Sequence, residues 1–313
     1  MRKSLAFITL LAGSVQALEF KTEPLGTLKV GGAVTLYGMH TSNRVGADKE
    51  NRYDVGSALL NLSKAPKPLG FNLTAGAYSL PMVGVGINRT WDSTGLFSAL
   101  PVAYLEYAPT KELSLQAGKL PTIIGYESAF TYTNNHIQRG LVWNMQPVVS
   151  NCLRLTYKTD LFSIKLGVND GFYTLSTKEP KMALEGSLTI TPTKKGSVSF
   201  NFILPDKGSR PNPTATPANK REFNIVTSYI LGKESLGFDF VYVEVPADAR
   251  AQVPAKARAG GGAVHLSYEL KPFKATGRVE YVKDSSDVGG IDLVGLGDGN
   301  KEWTFTFTHS YTK

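Results

Sequence analysis

Residues 119–151 read KLPTIIGYESAFTYTNNHIQRGLVWNMQPVVSN, with no alternation of apolar and polar side chains. Their neighbours do alternate. LSLQAG before them sets Leu113, Leu115 and Ala117 on one face, and CLRLTYK after them sets Leu153, Leu155 and Tyr157 against Arg154, Thr156 and Lys158. Successive side chains of a strand point to opposite faces, so both flanks read as strands with one apolar face. Connections in folded domains usually have ~4–6 residues, and one several times longer is either disordered or functional. This one is too rich in Ile, Tyr, Phe, Val and Trp to be disordered. It reads as a loop folded into the mouth of a barrel, packing its apolar residues on the wall and offering polar ones to a watery lumen. Tyr126, Glu127, Asn135, His136 and Arg139 are the candidate constriction residues.

The rest of the chain repeats the pattern of the two flanks. Leu28, Val30, Val34 and Leu36 alternate with Lys29, Gly31, Ala33, Thr35 and Tyr37; Phe238 and Phe240 flank Asp239; Val264 and Leu266 flank His265; Phe305 and Phe307 stand among threonines. Counted this way there are about fourteen strands of ~9–11 residues, the length a tilted strand needs to cross a bilayer. Short turns, such as 65–68, 109–111, 158–160, 192–195, 232–234 and 271–272, take every second connection. Between them lie long ones at 41–51, 80–98, 119–151, 170–180, 205–219, 246–259 and 284–301. The fold class expected is therefore all-β: a transmembrane antiparallel up-and-down β-barrel, with short turns in the periplasm and long loops outside.

The N-terminus places the chain outside the cytoplasm. Arg2 and Lys3 precede an apolar run from Leu5 to Ala12, and Val15-Gln16-Ala17 supplies the small residues of a cleavage site. Residues 1–17 read as a signal peptide and 18–313 as the barrel domain. The apolar run is shorter than the ~20 residues of a spanning helix, so the chain crosses a membrane as strands or not at all. Cys152 is the single cysteine and reads as a small filler at a strand start. The formal charge of +8 falls to +6 once Arg2 and Lys3 leave with the leader, and no basic block appears, which argues against a nucleic-acid partner.

Soluble sandwiches also alternate, and alternation alone does not say which face is outward. The long and short connections favour the membrane, as do aromatics near strand ends (Tyr37, Tyr107, Tyr157, Tyr229, Tyr281 and Trp303). Specific residues then carry a resemblance. The run Gly118-Lys119-Leu120-Pro121-Thr122-Ile123-Ile124-Gly125-Tyr126-Glu127, followed by Asn135, Arg139-Gly140 and Val142-Trp143, resembles the OmpL-like β-barrel porin family. That family usually has Gly before the Arg of the following strand, where Asn151-Cys152 stands here. The resemblance implies a porin of the bacterial outer membrane. Such barrels generally finish on an aromatic residue, whereas this sequence stops at Tyr311-Thr312-Lys313; the expectation is fourteen strands with an atypical end, or sixteen with a further hairpin.

Motifs for chemistry are sparse. His40, His136, His265 and His309 have no metal-ligand spacing, and there is no Gly-x-Ser-x-Gly, phosphate loop or paired-cysteine motif. No catalytic residue, metal or cofactor is expected. The leading function is a passive diffusion channel for small hydrophilic solutes or ions, surrounded by outer-membrane lipid, with a homo-oligomer compatible with it. The alternatives are a barrel with hydrolase activity, for which His265 with Ser267 is the nearest candidate, and a plugged structural or adhesive barrel. Glu106, Arg154, Lys158 and Lys165 are the candidate pore-wall residues, and the three basic ones predict a mild anion preference.

Overall fold

A computed structural model describes residues 6–23, 26–42, 50–87, 98–171, 182–209, 218–249, 253, 255–284, 292–294 and 300–311, with side chains from Leu18 onward. The chain divides into two compact units, Met1–Ala108 with Ser128–Arg139, and Pro109–Glu127 with Gly140–Lys313. In the first unit the strands are β1 (Ala6–Thr22), β2 (Gly26–Thr41), β3 (Asn51–Lys64), β4 (Leu69–Tyr78) and β5 (Val102–Tyr107). Each pairs antiparallel with the next in sequence. The second unit holds β6 (Leu113–Pro121), β7 (Val149–Lys158), β8 (Phe162–Asn169), β9 (Ala183–Thr193) and β10 (Gly196–Leu204). It continues with β11 (Arg221–Leu231), β12 (Glu234–Val245), β13 (Ala257–Leu270), β14 (Phe273–Asp284) and β15 (Lys301–Tyr311), again in sequential antiparallel order.

The strands expected from alternation are β2 to β15. Most are long enough for a bilayer, since 11 residues in β11 at ~3.3 Å each, tilted by ~45°, rise about 25 Å; β5, with 6 residues, and β8, with 8, are shorter. The short turns are as expected. Leu231 pairs with Glu234 and Leu270 with Phe273, leaving two-residue connections. At 159–161 the Thr159 hydroxyl accepts the amides of Leu161 and Phe162. Of the long connections, 43–49, 88–97, 172–181, 210–217, 250–252, 285–291 and 295–299 lie outside the described residues. The connection expected at 119–151 is shorter than its predicted bounds, because Lys119–Pro121 belongs to β6 and Val149–Asn151 to β7.

Burial answers what alternation left open. On β12 and β13 of the second unit, Phe238, Phe240, Val264 and Leu266 are exposed, Leu266 at 56%, while Asp239 and His265 between them are each at 2%. The polar face is the covered one and the apolar face is bare, the reverse of a water-soluble sandwich and the arrangement lipid requires. Tyr157, Tyr229 and Trp303 stand exposed at strand ends as a girdle would, and Tyr281 packs against Trp303 with ring centroids 4.9 Å apart and planes tilted by 45°. Tyr37 does not join them. It lies on the covered face of β2 and packs with Met39 and Ile87. Its alternation with Leu36 already set it opposite the apolar row, so the girdle expectation was wrong there.

The segment read as a signal peptide forms the first part of β1, which pairs with β2. The pairing breaks register between Val15 and Leu18.

Candidate functional site

The stretch between β6 and β7 meets the covered face of the second unit through buried carboxylates that the strands supply. Asp239, midway along β12, accepts the Tyr126 amide at 3.0 Å and Gln146 Nε2 at 2.9 Å through Oδ2. Its Oδ1 accepts Asn224 Nδ2 at 2.6 Å, and Asn224 on β11 in turn accepts the Gly125 amide at 3.1 Å. Both ends of the stretch are thereby held by one carboxylate. An acceptor with two oxygens suits this task, because a loop that leaves regular structure exposes amides needing partners.

A second cluster stands on β14. Arg278 Nη1 donates to Glu127 Oε1 at 2.6 Å, and its Nε is 3.1 Å from Glu280 Oε2. The stretch completes the set: Gly140 N donates to Glu127 Oε2 at 2.9 Å and Val142 N to Glu280 Oε1 at 3.2 Å. Thr304 and Thr306 of β15 bond Glu280 and Arg278 respectively. Two carboxylates share one guanidinium, all three nearly inaccessible to solvent. Such a group holds only while its lone pairs and protons are all taken up.

Two glycines make these approaches possible. Gly125 has φ +89°, and a Cβ there would come within 2.0 Å of Gln146 Oε1. At Gly140 a Cβ would sit 1.9 Å from Glu280 Oε1. Between them the Tyr126 ring lies against His265 with centroids 4.4 Å apart, and burial together with Glu127 holds its phenol above the usual tyrosine range. Farther along, a 3-10 turn at Trp143–Met145 presents the Met145 carbonyl to Lys220 Nζ at 2.8 Å. Lys220 is wholly buried just ahead of β11, and burial brings its ammonium down to about 8, with Glu222 opposing the shift.

Asn135, His136 and Arg139 belong to the first unit. Arg139 is fully buried, and its guanidinium donates to the carbonyls of Ser128, Ala129 and Ile137 and to the Thr131 hydroxyl. Its amide bonds Pro81 O at 2.9 Å. His136 is buried and Asn135 half-buried. The expectation that Glu127 and Arg139 both reach water does not hold: each is buried and satisfied within its own unit.

The wall residues also separate. Arg154 is buried and neutralised by Glu185 at 2.6 Å, which further accepts Asn169 at 2.7 Å and the Cys152 thiol at 3.3 Å. Lys158 is exposed beside a turn, while Lys165 and Glu106 are half-buried, Glu106 in the first unit. Three basic groups read as one patch are thus one paired arginine, one surface lysine and one lysine alone on the inner face. The hydrolase pair is otherwise engaged, with His265 under Tyr126 and the Ser267 hydroxyl sharing a hydrogen bond with Thr276 at 3.1 Å. No cluster that could hold a metal occurs among the described residues.

The family described as "Putative beta-barrel porin-2, OmpL-like" matches residues 27–313. The chain belongs to this porin family. It is a channel protein of the bacterial outer membrane. Among solved structures, the porin resembles the outer membrane channel DcaP of Acinetobacter baumannii, at 13% identity and TM-score 0.54, over 98% of this chain and 87% of that one. OccK5 (OpdH) of Pseudomonas aeruginosa aligns at 12% identity and TM-score 0.46, over 99% and 88%. OmpT of Vibrio cholerae aligns at 11% and 0.44, over 99% of each. Likeness at these identities speaks to the fold alone. No curated protein matches the porin. Of the residues that gave the family resemblance, Gly125-Tyr126-Glu127 and Val142 are held by the strands; their partners Asn224, Asp239, Arg278 and Glu280 were visible only as charged or amide residues on inward positions.

Proposed function

We propose that the porin passes small hydrophilic solutes and ions by passive diffusion, with residues 122–148, the connection from β6 to β7, folded inward to narrow its lumen. The observation that supports this most is the set of bonds from Gly125, Tyr126, Glu127, Val142 and Gln146 to inward residues of β11, β12 and β14. A loop fastened at both ends to the inner face of the strands takes up lumen cross-section, and solute flux falls steeply with pore radius. Swelling of proteoliposomes in neutral sugars of increasing size tests it. Swelling that declines with sugar size is expected, and none with any sugar would favour a plugged barrel.

Channel function on this reading needs no catalytic residue, and the engaged His265 and Ser267 support that; ester hydrolysis lost on Ser267→Ala would contradict it. Residues 1–17 serve as a leader cut after Ala17, a reading supported by Arg2 and Lys3 ahead of the apolar run and by the small residues that end it. A mature mass beginning at Leu18 is expected. The apolar outer face contacts outer-membrane lipid, and sizing of the detergent-solubilised protein decides between one barrel and a homo-oligomer.

A further inference from the structure

Lys165 occupies the middle of β8, between the exposed Ile164 and Leu166, and so points to the inner face. Its direct cross-strand partners are Thr156 on β7 and Ser187 on β9. Among the described residues, the ammonium and both hydroxyls have no hydrogen bond or ion pair. This is unusual beside a carboxylate. Glu185 lies one cross-strand row away, opposite Gly167, but Arg154, Asn169 and Cys152 already occupy it. Arg154 cancels Glu185, which leaves Lys165 positive, with Lys158 one row away toward the turn adding to the same positive field.

Three donor residues therefore share one cross-strand row on neighbouring strands ~4.8 Å apart. A lysine on a flexible stem supplies a mobile point charge, and two hydroxyls supply fixed donors. A carboxylate presents two oxygens a little over 2 Å apart, roughly the reach of one ammonium and one hydroxyl from the same row.

We propose that Lys165, Thr156 and Ser187 form a subsite on the lumen wall for small carboxylates. The inference rests on the diffusion reading but is independent of the loop. It replaces the diffuse anion preference expected from three basic residues with one site.

Single-channel conductance of the full mature chain in planar bilayers tests it, with potassium acetate as probe and potassium chloride in parallel. Chloride conductance reports the diffusion reading by itself, so a silent channel and a missing subsite are distinguishable. Acetate conductance that saturates with concentration is expected, with a half-saturating concentration raised about three- to fivefold by Lys165→Gln. Ser187→Ala should raise it in the same direction without changing charge, which covers the case of a lysine variant that does not insert. Lys274→Gln, an equal charge change on another strand, should leave it unchanged. Acetate conductance linear in concentration, or a half-saturation moved equally by Lys165→Gln and Lys274→Gln, overturns the proposal.

Discussion

Glu127 Oε1 and Arg278 Nη1 lie 2.6 Å apart, both buried, and join the stretch after β6 to the inner face of β14 across 151 residues of chain. Because Glu280 shares the same guanidinium, the two carboxylates are not equivalent to the arginine. Replacing Glu127 by Gln keeps a hydrogen-bonding group and leaves a neutral Arg278–Glu280 pair, at a cost of about 1–2 kcal/mol. Arg278→Gln leaves two carboxylates buried together, at a cost of about 3–5 kcal/mol. Urea unfolding followed by tryptophan fluorescence should rank the variants in that order.

Gly140→Ala should act on the same cluster from the other side. The added methyl meets Glu280 Oε1 at 1.9 Å and forces it away from the Val142 amide. A loss of about 1–3 kcal/mol is expected by the same unfolding measurement. Glu280→Ala in the Gly140→Ala background should add less than it costs alone, since the clash and the carboxylate are the same contact.

Lys220 gives the fold a pH dependence. Its buried ammonium titrates near 8 in the folded protein and at 10.5 when solvated, so between those values the unfolded chain binds more protons than the folded one. Stability should therefore rise as pH goes from about 8 to 9.5. Tyr126, shifted upward, acts in the opposite sense only nearer pH 10 and above. The temperature at which the unboiled band converts on a gel should climb over that range in wild type and stay flatter in Lys220→Met.

The alternation of long and short connections fixes sidedness. On cells producing the porin, a membrane-impermeant maleimide should label a cysteine at Ser98 and not one at Thr110; both positions are exposed and the native Cys152 is buried. Reversed labelling would invert the topology.

How much of this was legible in sequence differs by level. Strands β2 to β15 were readable because a period of two survives in every one of them, from Leu28 to Phe307. Which face was outward was not, since alternation is symmetric; it took the burial of Asp239 beside bare Phe238 and Phe240. The inward stretch was flagged by its length and composition, but its partners lie up to 151 residues away, beyond any local pattern. Glu127 and Arg139 were both expected to face the lumen because charge suggests solvent. Arg139 instead spends its donors on carbonyls nearby, and Glu127 finds a guanidinium that the alternation of β14 had placed inward.

Residues 122–148 narrow the lumen on this account, and single-channel conductance of a deletion of Ser128–Gln138 tests it most directly. The anchors at Gly125–Glu127 and Val142–Gln146 stay in place, so the strands keep their inner-face partners. A correctly folded deletion, shown by its heat-modifiable band, should conduct more than wild type in the same salt. Conductance unchanged in such a protein would contradict the account.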